Sequence, residues 1–430
     1  MLRPVVDALR FPPGFLWGTA TSSHQVEGGT DNNDWWNWER RPGAIRDGSR
    51  VGEAAQWWDG RAEEDRSTAA ELGQNAHRLS LEWSRLEPAE GHWNDAAFDR
   101  YLRLFMHAKS LGLQVMVTLN HFTLPRWAAG ERGWLDRTLP GRFATFARQC
   151  ARRLHRHVDY WATINEPNVL ALLGYALRRW PPGMGKVRSY GTALTHMLRA
   201  HTLAYQAIHH VSPRAKVGLV VNLPFFEAAR GRPSDMLMTA TQDWVMNGSL
   251  LRALETGLLI PPFRVRPRRI ANLPRSFDWL GLNYYGRYQV RFDPLAPATG
   301  FSRFVQSSTT ATAWSDWGQP YAEGLKRQLH RMRHLRVPLY VTENGIFDND
   351  DGMRAKFIRE HVQALHQALA DGIDVRGYFH WSLVDNFEWA EGWSTRFGLL
   401  ELDRTSGIRR RRASASVYAD ICRANALARR

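Results

Sequence analysis

Glu166 and Glu343 each close a short apolar run, Tyr160-Asn165 and Leu339-Thr342, and each has an asparagine beside it, as Asn165-Glu166-Pro167 and Glu343-Asn344-Gly345. A lone glutamate at the end of a strand is ordinarily a helix cap or a salt-bridge partner. Two that face one another make a different tool. One can hold a proton for a leaving oxygen while the other attacks the adjacent carbon or activates water, which is what cleavage of a glycosidic bond requires.

Other apolar runs close in the same way. Polar residues that a core would not select follow them: His24-Gln25, Arg78 with Glu82, Asn120-His121, Asn222, Asn283 with Tyr285, and Trp381. One case would mean little; the repetition points to a polar site at one face. Aromatics add an independent clue. Among 19 Trp, Trp17, Trp35, Trp36, Trp127, Trp317, Trp381, Trp389 and Trp393 fall near run ends or in loops. Flat rings stack on the C–H faces of sugars, whereas Trp57, Trp58, Trp161 and Trp279 read as packing residues. Trp381 and Trp389 flank Glu388 in what reads as a polar, exposed loop.

These residues need elements to hold them. Eight β-branched or apolar runs recur: Phe15-Ala20, Ala76-Glu82, Val115-Asn120, Tyr160-Asn165, Val217-Asn222, Trp279-Tyr284, Leu339-Thr342 and Arg376-Trp381. Apolar on both faces, they suit buried parallel strands. Helix-period stretches lie between them, among them Asp99 to Leu111 closed by Gly112, Arg142 to His157, and Tyr190 to Val211 ended by Ser212-Pro213. Strand and helix alternating eight times predicts an α/β fold, a (β/α)8 barrel of the TIM type, with the active site at the C-terminal face of the strands. With no Gly/Ser linker, residues 1–430 read as a single catalytic domain. Phe292 to Ala313 reads as a long loop overhanging the barrel mouth. In such a barrel the fourth and seventh strands stand on roughly opposing walls, so Glu166 and Glu343 can face each other.

Composition narrows the classes further. The 430 residues are 44% hydrophobic and 23% charged, which excludes disordered, collagenous and disulfide-stapled chains. Cys150 and Cys422 are too few for a disulfide framework, although the two could pair. No apolar run of signal-peptide or membrane-spanning length occurs. The expectation is a cytoplasmic protein without a membrane partner. The net charge is +15, and 52 of the 57 basic residues are Arg. The clusters Arg264 to Arg269 and Arg409 to Arg412 could meet nucleic acid, but no nucleic-acid motif accompanies them. They read as solvated surface, and no nucleic-acid partner is expected. No HExxH spacing suggests a metal, and no Gly-rich loop suggests a nucleotide, so no metal and no cofactor are expected. The oligomeric state is not specified.

Longer segments resemble the family 1 glycoside hydrolases, the β-glucosidase and β-galactosidase family, from Phe11 to about Tyr418. The segments are FPPGFLWGTATSSHQVEG (Phe11 to Gly28), HRLSLEWSRLEP (His77 to Pro88), NHFTLPRW (Asn120 to Trp127), TINEPN (Thr163 to Asn168), GLNYYG (Gly281 to Gly286), VTENG (Val341 to Gly345) and WSLVDNFEWAEGWSTRFGL (Trp381 to Leu399). They stand in the family's order. The resemblance implies that Glu343 is the nucleophile and Glu166 the general acid/base. Arg78 and Tyr285 would contact Glu343, and Asn283 would support the nucleophile side. Asn165 would hold the sugar 2-hydroxyl. Gln25, His121 and Glu388 would bind the other hydroxyls, with Trp389 near them. Trp381 would be the stacking floor, Phe397 a pocket wall, and Asn222 an aglycone-side residue.

Physical logic gives the two glutamates unequal roles. A guanidinium beside Glu343 favours a charged carboxylate, whereas Glu166, less compensated and near that charge, is expected to start protonated. The implied activity is retaining hydrolysis of terminal non-reducing β-D-glucosyl, β-D-galactosyl or β-D-fucosyl residues from a small β-glycoside or oligosaccharide. Retention goes with carboxyl groups ~5–5.5 Å apart, and inversion with ~6.5–9.5 Å. A transglycosylase would use the same glutamates and pass the sugar to an alcohol. A 6-phospho-β-glycosidase would need a cationic pocket, against which Glu388 stands and for which only Arg396 speaks. A non-catalytic sugar-binding protein would be expected to lack one of the two carboxyls. Phe122-Thr123 departs from the aromatic-Asp pair that many members carry after the histidine. The compact segment Pro224 to Asp235 suggests trimmed outer loops and a wider aglycone entrance.

Overall fold

A computed structural model describes residues 8–260, 266–296, 299–305 and 317–429. Eight strands, here β1 (Leu16–Ala20), β2 (Ala76–Ser80), β3 (Gln114–Asn120), β4 (Tyr160–Asn165), β5 (Val217–Asn222), β6 (Trp279–Asn283), β7 (Leu339–Asn344) and β8 (Val375–Trp381), form one sheet. Their order is β6-β7-β8-β1-β2-β3-β4-β5, and β5 pairs back onto β6 to close a parallel barrel. Each of the eight apolar runs is a barrel strand. Glu82 falls just past β2, at the N-cap of a short helix, Trp83–Leu86.

The strand period of two sorts side chains between two cores. Leu16, Ala76, Met116, Tyr160, Val220, Trp279, Tyr340 and Phe379 fill the barrel interior. Their neighbours, such as Trp17, Leu79, Val115, Val117, Leu219 and Val341, face the surrounding helices. Trp279 fits only because Gly218 stands beside it; a Cβ on that glycine would collide with the indole ring. The helix Asp95–Ser110 buries Phe98, Tyr101, Leu104, Phe105 and Ala108 at three- and four-residue spacing. It begins four residues earlier than its apolar pattern shows, because Asn94 caps it by accepting from the Ala97 amide at 3.1 Å. Leu139–Leu154 and Val187–Val211 form the other expected helices. Among the described residues no helix is long and apolar enough to cross a membrane.

The first and last described strands pair with each other. Ala8–Arg10 pairs antiparallel with Ala426–Ala428, and Trp17 Nε1 donates to Asn425 Oδ1 at 2.9 Å.

The long loop expected over Phe292 to Ala313 is corrected in part. Arg287–Phe292 is a strand that pairs antiparallel with Ser302–Val305 and parallel with Phe225–Ala228. The alternation in Arg287-Tyr288-Gln289-Val290 is mostly polar, so hydropathy hides it. Residues 297–298 and 306–313 lie outside the described residues. This small sheet follows directly from the C-terminal ends of β5 and β6.

The arginine run at 409–412 is solvated surface only at Arg410 and Arg411; Arg409 and Arg412 turn inward. Arg409–Arg411 is a strand paired with Leu400–Leu402. Arg409 meets Asp65 at 3.0 Å, Arg411 pairs with Glu71, and Arg412 grips buried Asp385 with two bonds of 2.8 Å. Arg264 lies outside the described residues. Cys150 and Cys422 are both buried and unpaired.

Candidate active site

The C-terminal ends of the strands converge on a cleft of about 330 Å³. Glu166, Glu343, His121, Asn222, Tyr285, Trp381, Glu388 and Trp389 all line it. Gln25, Arg78, Asn165, Asn283 and Phe397 bear on those lining residues.

Glu343 is the penultimate residue of β7. Arg78, on β2, reaches it with Nη1 at 2.5 Å, and the Tyr285 hydroxyl donates to its other oxygen at 2.6 Å. Both carboxyl oxygens therefore accept a hydrogen bond. Burial and the nearby carboxylates push Tyr285 well above the usual phenol range, so it keeps its proton and serves as donor. Arg78 is fully buried. It spends its remaining hydrogens on Thr118 Oγ1 (3.2 Å), the Thr342 carbonyl (3.3 Å) and Asn165 Oδ1 (2.6 Å).

Glu166 follows β4 directly and sits in the left-handed region at φ 46°, ψ 57°, where a residue with a Cβ is strained. Its amide is fixed by the Val220 carbonyl at 2.9 Å, and Pro167 starts the next helical turn. One carboxyl oxygen, Oε1, accepts from Asn283 Nδ2 at 2.7 Å and from Asn222 Nδ2 at 2.9 Å. Burial, and secondly the charge of Glu343, push Glu166 up to about 8; the two amides oppose that shift. Phe122 and Trp389, also on the cleft, have positive φ as well, at 74° and 51°.

Asn283 stands beside Glu343 in the strand register, and its side-chain amide reaches across to Glu166 and, at 3.2 Å, to Asn165 Oδ1. Thr342 Oγ1 donates to its carbonyl at 2.7 Å and fixes the flip. Asn165 is thereby shared. Its Oδ1 takes hydrogens from Arg78 and Asn283, and its Nδ2 lies 3.2 Å from His121 Nε2. Burial and Arg78 hold His121 well below the ordinary imidazole range, which keeps it neutral.

The loop carrying Glu388 is buried, contrary to the exposed loop expected. Trp381 is the last residue of β8, and Trp381, Glu388 and Trp389 are all covered. The reason is a dense aromatic packing. Trp389 stacks on His24 and His121, and Trp381 also stacks on His121. Gln25 Nε2 donates to Asn386 Oδ1 (2.8 Å), the Phe387 carbonyl (2.9 Å) and Glu388 Oε2 (3.3 Å), joining the β1 end to this loop. Burial pushes Glu388 up to about 8, with Glu343 and Glu391 adding to the shift. Phe397 packs edge-on to Tyr285 and Trp317.

Trp317 lines the cleft as expected, whereas other tryptophans singled out in the sequence lie elsewhere. Trp17 and Trp35 are core, and Trp127 donates to the Glu87 carbonyl at 2.8 Å. Glu82 is buried away from the cleft, gathering Ser84, Thr123 and Ser23 hydroxyls. The sequence reading missed Trp180, which lines the cleft and packs against Phe122, Trp35 and Trp389. It follows Arg178-Arg179 far from any strand end, so nothing local marks it. Thr118, mid-strand, was invisible for the opposite reason: it looks like an ordinary β-former.

The family model described as glycosyl hydrolase family 1 matches residues 8–427. Beta-glucosidase A of Thermotoga maritima is 31% identical over 98% of this chain and 100% of its own length. A beta-galactosidase of Pyrococcus woesei is 30% identical over 98% of each. The solved family 1 β-glucosidase from Thermotoga maritima superposes with a TM-score of 0.90 at 28% identity, covering 98% of this chain and 99% of that one. A β-glycosidase from Pyrococcus horikoshii gives a TM-score of 0.88 at 36% identity, covering 98% and 96%.

Proposed function

Because the chain belongs to glycosyl hydrolase family 1 and is a glycoside hydrolase, we propose that it is a retaining β-glycosidase acting on terminal non-reducing β-D-glucosyl, β-D-galactosyl and β-D-fucosyl residues. The observation that carries this reading is the unequal environment of two carboxyls in one cleft. Glu343 has a donor on each oxygen, one of them cationic, while Glu166 is pushed up to about 8.

In the first half-reaction Glu166 gives its proton to the glycosidic oxygen as the C–O bond breaks. Glu343 attacks the anomeric carbon and forms a glycosyl ester, and the aglycone leaves as a neutral alcohol. That ester carries no charge, so one force raising Glu166 disappears, and Glu166 is left ionised by its own proton transfer. In the second half-reaction Glu166 takes a proton from water, the oxygen attacks the same carbon, and Glu343 departs as a carboxylate. Two inversions return the β-anomer.

The glycone end favours unphosphorylated sugars. Glu388 is its acidic wall, and Arg396, the one candidate counter-charge, is half exposed and pairs with Glu401 at 3.3 Å. A carboxyl group that holds its proton near neutral pH both donates and accepts, so Glu388 suits an axial or an equatorial hydroxyl.

The test is nitrophenol release from aryl β-D-glucoside, galactoside and fucoside, with the first-formed anomer read by proton NMR. Glu343→Gln is expected to lose at least a thousandfold in kcat, and azide to rescue Glu166→Ala with a β-glycosyl azide product. Near wild-type turnover by Glu343→Gln, or an α-anomer as first product, overturns the reading.

A further inference from the structure

Glu82 is a fully buried carboxylate that the proposed mechanism does not use. It stands just past β2 and gathers hydroxyls from the ends of three strands. Ser84 Oγ donates to Oε1 at 2.6 Å, while Ser23 Oγ and Thr123 Oγ1 donate to Oε2 at 3.2 and 3.1 Å. Asn33 Nδ2 stands 3.5 Å from Oε1. All four of these partners are neutral. A carboxylate buried among neutral groups costs stability that an apolar or amide side chain would not, so packing alone does not account for it. It is also an acceptor only, and it obliges each group around it to point a hydrogen inward.

Three of the contacts lead to the sugar-facing groups. Thr123 follows His121 by two residues. Asn120 Nδ2 donates to the Thr123 carbonyl at 2.8 Å, so the turn that carries His121, with Phe122 at φ 74°, is tied at its end to Glu82. Ser23 precedes Gln25 by two residues. Its amide donates to Ser80 Oγ at 2.7 Å and that hydroxyl donates back to Ser23 Oγ at 3.0 Å, which leaves the Ser23 hydrogen for Glu82. Asn33 Oδ1 accepts from the Trp36 amide at 2.9 Å, so Nδ2 faces both Glu82 and His24 Nδ1, the latter at 3.1 Å. His24 stacks on Trp389, and Trp389 on His121, with ring centres 5.7 and 6.0 Å apart. The Ser84 contact leads to no sugar-facing group.

We propose that Glu82 is a positioning residue for the sugar: it sets the spacing of Gln25, His121 and Trp389, and so the discrimination among hydroxyls other than the 2-hydroxyl. The inference rests on the β-glycosidase reading and adds a residue that acts only through its neighbours. Glutamine keeps the shape of Glu82 but turns one acceptor into an NH2 group. That group meets hydroxyl hydrogens, so at least one of the tied loops must turn away.

The experiment measures kcat/KM for an aryl β-D-glucoside and its 2-deoxy, 3-deoxy and 4-deoxy analogues. The enzymes are wild type, Glu82→Gln, Thr123→Val, Thr123→Ser and Ser84→Ala. In wild type each missing hydroxyl is expected to lower kcat/KM about 10- to 100-fold. Glu82→Gln should lower the parent value about 10- to 100-fold and shrink the 3-deoxy and 4-deoxy penalties by about threefold or more. The 2-deoxy penalty should stay, because Asn165 is held independently by Arg78 and Asn283. Thr123→Val removes the tie to His121 and should shrink the same two penalties in part, whereas Thr123→Ser, which keeps the hydroxyl, should match wild type. Ser84→Ala loses the shortest bond to Glu82 yet should leave all three penalties within about twofold. Penalties that keep their wild-type size in Glu82→Gln and Thr123→Val, or that shrink equally in Ser84→Ala, overturn the positioning role and leave the glycosidase intact. If Glu82→Gln does not fold, Thr123→Val against Thr123→Ser decides the same question. Wild-type enzyme that cleaves none of the glucosides overturns the glycosidase reading itself.

Discussion

The side-chain amide of Asn283 lies 2.7 Å from Glu166 Oε1, on a strand two places round the barrel from the glutamate's own. An N–H donor there stabilises the charged form of Glu166, the form that the proposed second half-reaction would use. Asn283→Ala should therefore slow the second half-reaction more than the first. With a dinitrophenyl β-glucoside, stopped-flow should show a burst of one equivalent, and steady-state kcat should fall about 10- to 100-fold, the worth of a hydrogen bond to a charged group. Equal loss in both half-reactions would instead mean that the cleft itself had deformed.

Arg78 is bound on all sides, to Glu343, Asn165, Thr118 and the Thr342 carbonyl. A lysine carries the charge but cannot reproduce that fork. Arg78→Lys should lower kcat/KM by about 10²–10³-fold and destabilise the fold by about 3 kcal/mol, because buried acceptors lose their donors. Kinetics with an aryl glycoside and a denaturant melt measure the two effects separately.

The alkaline side of the pH profile follows from Glu166. In the proposed mechanism the group starts protonated, and it is pushed up to about 8. The value of kcat/KM for the free enzyme should therefore hold toward neutral pH and fall as pH rises through about 8. Glu388 titrates in the same range, so the limb should be steeper than for one proton. Glu166→Ala, assayed with a leaving group that needs no protonation, should keep only the part of that limb that Glu388 contributes.

Stability should move the same way. Glu166 and Glu388 are raised from the ordinary 4.5 to about 8, and Glu27 and Asp34 to about 7, burial being the first cause for each. A carboxyl group raised by folding contributes its stability fully below the unfolded value and loses it as pH climbs through the folded one. Buried neutral histidines, His24, His201, His361 and His380 among them, oppose this trend below about pH 6.5, so the carboxyl effect should show as a decline in melting temperature from about pH 7 to pH 9. Glu388→Gln removes one such group without emptying its space, so at pH 8 it should be more stable than wild type by about 2–4 kcal/mol, although it binds sugar less well. A pH-independent gap between the two melts would contradict the assignment.

Asp385 accepts both Arg412 bonds and the amides of Gly398 and Leu402. Asp385→Ala should cost about 3–5 kcal/mol by leaving a buried guanidinium uncompensated. That pairing and Arg409 on Asp65 are covered, and Arg411 is offset by Glu71 at the surface, so three of the four charges of that run are already paired. Gel shifts with duplex DNA at 50–200 mM salt should show no salt-sensitive complex of the kind free arginines give.

The barrel was legible because its signals are local. A buried parallel strand must be apolar on both faces, so eight such runs stand out whatever surrounds them. Polar residues that end those runs mark one face, and both glutamates were found that way. The small sheet of Phe225–Ala228, Arg287–Phe292 and Ser302–Val305 escaped, because its alternating residues are mostly polar or half covered. Trp180 escaped because its place in the cleft is set by loops that meet only in the folded molecule.

Residue types, their order and their positions at strand ends determined the fold and the pair of carboxyls. Only the folded chain decided which of the two keeps a proton, that the Asn283 amide serves Glu166, and that the Glu388 loop is buried. The reason is distance along the chain. Arg78 and Glu343 are 265 positions apart, and Asn283 and Glu166 are 117 apart. Burial and charge act through space, so the division of roles between two identical side chains exists only once the barrel has closed.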